Sequence, residues 1–299
     1  MTDPLVIETS ELRKRYGDAE AVSGLNLQVP AGSIFGFLGR SGAGKTTTIK
    51  LLLGMTQPTS GGVRVLGLPA DAQEPSVEIR RRTGFVSEDK DLYDSMTVAE
   101  IIRFTAAFFP RWRRDLEDRY LRKFELPAGR KVKALSRGTR TKLALLLALC
   151  RGAELLVLDE PTSGLDPAIT EEVLQAIVAH VASEELTVFF SSHQIAEVDQ
   201  IADRIAIIDR GRTVVAGALE DLRENYRRIQ LVFEGEAPEP AFRAPGIVRV
   251  RRERRMLTVL TAAGADQIVH EARALGPVSV DVVPVTLKEI FLETVTAEN

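Results

Sequence analysis

Gly39-Arg40-Ser41-Gly42-Ala43-Gly44-Lys45-Thr46 is the stretch on which the fold turns. It fits the pattern G-x-x-x-x-G-K-[ST], follows the apolar run Ile34-Phe-Gly-Phe-Leu38, and leads into Thr46–Leu53, whose helical character stops at Gly54. Strand, glycine loop and helix in that order make a cradle for a polyphosphate. Glycines 39, 42 and 44 let the backbone curl until successive N–H groups face one point, and the helix adds its positive N-terminal end. Lys45 should then reach the β and γ phosphates, Thr46 should ligate Mg2+, and Thr47 can offer a hydroxyl to the α-phosphate. The plain alternative, a flexible Gly/Ser turn ahead of a helix, is disfavoured by pattern and context together.

Downstream, Leu155-Leu-Val-Leu-Asp159-Glu160 is four apolar residues ending in two carboxylates. Asp159 belongs at the C-terminal tip of a buried strand, the edge at which open α/β sheets bind ligands. There it can hold Mg2+, directly or through water, while Glu160 orients and deprotonates an attacking water. Two surface acids after a core strand would look the same in isolation, but not beside a phosphate loop.

Outward from these motifs, Leu5–Leu38 reads as short strands broken by Gly17, Gly24 and Pro30-Ala31-Gly32. Residues 97–150 read as helical: Thr97-Val-Ala-Glu100 is a capping-box start, Asp115–Leu126 is amphipathic, and Ser136 opens an almost wholly apolar helix. The apolar strands Leu155–Leu158, Val188–Phe190 and Ile205–Ile208 alternate with helices, which predicts a mainly parallel sheet covered on both faces. The first domain is thus α/β and spans residues 1–225. A Pro/Gly/Glu-rich connector follows (Glu234-Gly-Glu-Ala-Pro-Glu-Pro, then Arg243-Ala-Pro-Gly246). Residues 226–299 read as a small α+β domain, with strands Ile247–Arg252 and Leu257–Thr261, helix Asp266–Leu275, strand Val278–Val283 and helix Leu287–Thr296.

Bulk properties of the 299 residues narrow the partners more than the chemistry. A net charge of −3 gives no global positive field, so no nucleic-acid partner is expected, and runs such as Arg80-Arg81-Arg82 read as solvated faces. The single cysteine, Cys150, lies in an apolar run and is expected to be a buried thiol in a reducing compartment. No signal-peptide pattern stands at the N-terminus, and the strongest apolar run, Leu143–Cys150, is far short of the roughly 20 residues a spanning helix needs.

With these motifs in order, residues 5–220 closely resemble the nucleotide-binding subunits of ATP-binding cassette transporters. Leu135-Ser136-Arg137-Gly138-Thr139 is similar to the family's signature loop, Ser163-Gly164-Leu165-Asp166 to the loop after the catalytic acid, His193 to the switch histidine, and Tyr16 to the aromatic that stacks on adenine. The resemblance implies a P-loop NTPase cassette: a mainly parallel sheet, an antiparallel β subdomain and an inserted helical subdomain, here with the small C-terminal α+β domain appended. It implies ATP and Mg2+ as cofactors and two cassettes paired head to tail, each ATP capped by the partner's Ser136 and Gly138, with Asp166 linking the sites and His193 on the γ-phosphate. As a helix N-cap, Ser136 would aim N–H groups and a positive dipole end at that phosphate.

Three positions depart from the common pattern. Arg137 and Thr139 stand where Gly and Gln are common, and Glu88, in Gly84-Phe-Val-Ser-Glu88, stands where a Gln beside the metal is usual. Glu88 is therefore a candidate metal ligand. The partners implied are a multi-spanning membrane permease, contacted through the 97–150 insertion, and a second copy of the chain or a related cassette. The expected location is cytoplasmic, peripheral on the inner face of the cell membrane, and the C-terminal Leu287-Lys-Glu-Ile-Phe-Leu-Glu ending points to an exporter. The competing reading is a soluble mechanochemical cassette acting on a macromolecular assembly, though neither a duplicated cassette nor a long coiled coil is present. A binding module without turnover would be expected to lack Glu160 or His193, and both are there.

Overall fold

Alternation at the N-terminus builds a hairpin longer than the glycines suggest. In the computed structural model, which describes residues 4–184, 186–240 and 242–295, β1 (Leu5–Tyr16) and β2 (Ala19–Pro30) are each 12 residues and pair antiparallel along their length. Gly24 does not break β2. It is skipped between the pairs Arg13↔Ser23 and Leu12↔Leu25 and takes φ 77°, so it serves as a bulge, where a residue without Cβ fits best.

After β3 (Ile34–Gly39) come α1 (Lys45–Leu52), β4 (Ser60–Val65), β5 (Leu68–Pro69), α2 (Gln73–Arg82) and β6 (Thr83–Val86). The antiparallel sheet has the order β2-β1-β4-β5. Then follow α3 (Val98–Ala106), α4 (Arg114–Lys123) and α5 (Arg137–Leu149), the expected helical insertion. α3 starts on the capping box read from sequence: Glu100 N–H donates to the Thr97 hydroxyl, and Thr97 N–H donates to Glu100 Oε2 at 2.8 Å. α5 starts on Ser136, whose hydroxyl accepts from Thr139 N–H at 3.2 Å.

β7 (Leu155–Asp159), α6 (Pro167–Glu184), β8 (Thr187–Ser192), α7 (Ile195–Ile201), β9 (Arg204–Asp209) and β10 (Arg212–Ala218) complete a second sheet, of order β10-β9-β3-β8-β7-β6. Its pairs β3–β8, β3–β9, β6–β7 and β7–β8 are parallel. Every residue of β3, β7 and β8 is buried, as strands covered on both faces require, and Phe37, Val157 and Phe189 join the core that also holds Ile49 and Leu52 of α1. This packing places three strand tips at one edge: Gly39 before the loop, Asp159, and Ser192 before His193.

The chain divides into two units at Thr213/Val214, inside β10. In the second, α8 (Leu219–Asn225) and β11 (Arg227–Val232) precede β12 (Ile247–Glu253), β13 (Met256–Thr261), α9 (Ala265–Arg273), β14 (Ser279–Pro284) and α10 (Leu287–Val295); Thr296, expected to end that last helix, lies outside the described residues. The sheet is antiparallel with order β12-β13-β11-β14. Ile229, Leu231, Leu257, Val259 and Ile268 form its core. The strand absent from the sequence reading, β11, is central: it pairs with both β13 and β14 over six residues each.

Candidate functional site

The phosphate loop is shaped by its glycines. Gly44 is the residue before α1, with φ 105°, and a Cβ on it would run into the Ala21 carbonyl. Gly42 takes φ 80°. No side chain caps α1, so its first N–H groups are left for whatever enters the cleft in front of them. That cleft, open and about 820 Å³, is lined by Ala21, Ser41, Gly42, Gly44, Lys45, Thr46, Thr47, Glu88, Glu160 and His193. Of the remaining loop positions, Gly39 and Arg40 offer their carbonyls to Lys45 Nζ at 2.7 and 3.2 Å, and Ala43 is buried, its carbonyl accepting from Gly211 N–H.

Glu160 is the hub. Its side chain is 7% exposed, with Oε1 3.1 Å from Lys45 Nζ and Oε2 2.8 Å from His193 Nδ1, while His193 N–H also points to Oε2 at 3.3 Å. A carboxylate between a buried ammonium and a half-exposed imidazole has a proton acceptor's charge and an exit for the proton. The Glu160 backbone stands at φ 47°, a left-handed conformation costing of order 1–3 kcal/mol in a non-glycine residue and characteristic of functional sites. It is held in part by Ser191, whose hydroxyl accepts from Glu160 N–H at 3.0 Å and donates to Asp159 Oδ1 at 2.6 Å. Asp159 itself is 2% exposed at the tip of β7.

The metal candidates Thr46, Asp159 and Glu88 are oxygen donors without exception, the set a hard divalent cation takes. No cluster of three or more His, Cys, Asp or Glu side chains suited to a metal occurs among the described residues, so a cation here would depend on phosphate oxygens and water for the rest of its shell.

Other expected positions lie outside the lining of this cleft. Tyr16 is half exposed, with Lys14 Nζ 4.9 Å from its ring centroid. Ser136 is exposed at the start of α5, its hydroxyl also 2.8 Å from that of Thr139. Gly138 is buried against α6, where a Cβ would meet Ile169 Cδ1 at 2.6 Å. Asp166, exposed, accepts from Ile169 N–H at 3.1 Å and so caps α6.

Two participants escaped the sequence reading. Ser191 stands two residues before His193 and has no motif signal of its own. Lys90 carries no motif signal, yet it is 4% exposed and donates to the Glu160 carbonyl; burial pushes its ammonium below the usual lysine range, Arg137 adds to that, and Glu88 and Glu160 oppose it.

Comparison with known proteins decides what this cleft belongs to. The ABC transporter family matches residues 22–163, from β2 past Glu160, and an AAA domain family also matches residues 128–199. The bacitracin transport ATP-binding protein BcrA of Bacillus licheniformis is 36% identical over 225 residues, 75% of this chain and 73% of that protein. The chain belongs to the ABC transporter ATP-binding proteins. It is an ATPase subunit, binding and hydrolysing ATP for a transporter. The Nod factor export ATP-binding protein I of Cupriavidus pinatubonensis is 34% identical to it over 222 residues, 73% of this chain and 67% of that protein. A dimeric ATP-binding cassette in a post-hydrolysis state, bound to ADP and phosphate, shares the ATP-binding subunit's fold with a TM-score of 0.65 at 23% identity, covering 71% of this chain and 98% of that one. No helix among the described residues is long and apolar enough to cross a membrane.

Proposed function

We propose that this subunit hydrolyses MgATP at the interface of two cassettes to drive an export permease, with Glu160 as the base. The observation that carries the proposal is the convergence of Lys45 and His193 on the two oxygens of one buried carboxylate. Lys45 is shared among Glu160 and the carbonyls of Gly39 and Arg40; a triphosphate, with more charge, would draw the ammonium over and leave Glu160 beside His193 to accept a proton from water. Thr46, Asp159 and Glu88 would hold Mg2+, which when bound would neutralise charge on the β and γ phosphates. Backbone N–H groups of the loop from Gly39 to Thr47 would orient the phosphates, and Tyr16 would stack on adenine.

The second half of the site would come from another copy or a related cassette: the exposed Ser136 at the N-terminus of α5, with Gly138 behind it, suits a γ-phosphate, and the exposed Asp166 suits a contact between sites. Docking to a multi-spanning permease is supported by the edge-to-face cluster of Tyr93, Phe104 and Phe108, residues that are 59%, 40% and 64% exposed. Export is supported by the similarity to the Nod factor export ATP-binding protein, and the subunit would then work at the inner, cytoplasmic face of the membrane.

The experiment is recovery of tagged Glu160→Gln from detergent-solubilised membranes of the source organism with MgATP, the co-purifying chains being identified by mass spectrometry. A multi-spanning protein in stoichiometric amount is expected; ribosomes or soluble partners alone would replace the permease with a soluble assembly.

A further inference from the structure

The loop 160–164, which starts at Glu160, is hydrogen-bonded at its start and packed against at its end by side chains from elsewhere in the chain. At its start, Lys90 Nζ donates to the Glu160 carbonyl at 3.0 Å, and Ser163 N–H donates to the same oxygen at 3.2 Å. At its end, the Arg137 guanidinium lies where a Cβ on Gly164 would stand. A space lined by Glu88, Asp89, Lys90, Leu135, Arg137 and Arg140 lies alongside. Lysine is among the residues least often fully buried, and Lys90, 4% exposed, is spent on a single backbone oxygen.

That oxygen belongs to the residue whose left-handed backbone, φ 47°, would relax if its surroundings did not hold it. We propose that Lys90 is a positioning residue for ATP hydrolysis: its ammonium pins the Glu160 peptide, which fixes where the carboxylate points relative to Lys45 and His193. Because the Lys90 backbone sits two residues after Glu88, a cleft-lining residue, a shift of that segment on filling the cleft would be transmitted to the base through one hydrogen bond. Arg137, at a position where the family often has glycine, packs against the far end of the same loop. The inference rests on the reading of Glu160 as the base.

The test uses the full chain, single-turnover hydrolysis of MgATP, and separately measured ATP affinity. Lys90→Met keeps length and packing but removes the donor; it should lower the hydrolysis rate about 10- to 100-fold, the cost of a misplaced catalytic group, with ATP affinity unchanged. Lys90→Arg, which restores a donor, should recover part of the rate. Adding Lys90→Met to Glu160→Gln should cost nothing further, since residues acting through one group are not additive. A Lys90→Met enzyme at the parent rate, or a full additional loss in the double variant, overturns the role of Lys90 and leaves the base in place. Undiminished hydrolysis by Glu160→Gln would instead overturn the base itself. Should Lys90→Met fail to fold, Lys90→Gln decides: a reduced rate at unchanged affinity sustains the role, and a parent rate, or a rate loss matched by an affinity loss, overturns it.

Discussion

The six-stranded sheet of the first unit and the four-stranded sheet of the second use their strands differently. In the first, β3, β7 and β8 are buried along their whole length and run parallel, so their sequence is apolar and only their C-terminal tips carry chemistry. In the second, strands alternate: Ile229 and Leu231 of β11 face the core while their neighbours Arg228 and Gln230 do not. A parallel sheet gathers unlike residues at one edge, whereas an antiparallel sheet offers a face. The candidate catalytic residues gather in the first unit accordingly, and the second carries ion pairs across its surface, such as Arg228–Glu289 at 2.6 Å and Arg249–Glu293 at 3.1 Å.

The sharpest way to break this contrast is to remove Lys45. Lys45→Ala takes away the buried partner of Glu160 and the charge meant for the phosphates, and truncating one member of such a pair costs 2–5 kcal/mol or more, so ATP affinity should fall by about 30-fold to several thousand-fold. No single substitution in the second unit should weaken ATP binding comparably, and titration calorimetry on both kinds of variant checks this.

Core truncations come next. Phe189→Ala empties a fully buried aromatic site stacked on Phe35 at 5.8 Å and should cost about 3–5 kcal/mol along with nucleotide binding; Ile229→Ala should cost about 2–5 kcal/mol in the unfolding of the second unit with binding retained. Loss of ATP binding in Ile229→Ala, measured under conditions where the first unit is folded, would end the separation of roles.

Acid should also act on the first unit. His180, buried on α6 with Nδ1 3.1 Å from the Tyr120 hydroxyl, has its imidazole pushed down by burial to about 4, against 6.5 for a free histidine. The unfolded chain therefore binds the proton more tightly. Stability from the neutral ring is complete above about pH 6.5 and is lost as pH falls from 6.5 towards 4, by up to about 3 kcal/mol. Denaturant midpoints of the first unit across that window should fall less steeply in His180→Asn. Smallest of all, Arg249→Ala breaks a partly exposed pair and should shift the second unit by less than about 1 kcal/mol.

What could be read from the sequence follows the same division. The loop from Gly39 to Thr46 and the run from Leu155 to Glu160 were legible because backbone shape and side-chain chemistry constrain the same few residues. So were the caps Thr97 and Ser136, whose partners stand three residues away. β11 was not, since Arg-Arg-Ile-Gln-Leu-Val has only two fully buried residues and adjoins a Pro/Gly/Glu-rich stretch that masks it. Nor was the length of β2, since a glycine bulge and a glycine break are written alike. Lys90 was invisible for another reason: the oxygen it serves is 70 residues away and carries no side-chain signature.

Cys150 offers a practical return. It is the chain's only cysteine, fully buried where α5 ends, and burial pushes its thiol up to about 12, so at neutral pH almost none of it is thiolate. Thiol-directed dyes and spin labels should pass the native protein by. A cysteine introduced at the exposed Asp118 of α4 and another at a surface site on the second unit would then take up such labels selectively, and distances between cassettes could be followed during turnover without first removing a native thiol.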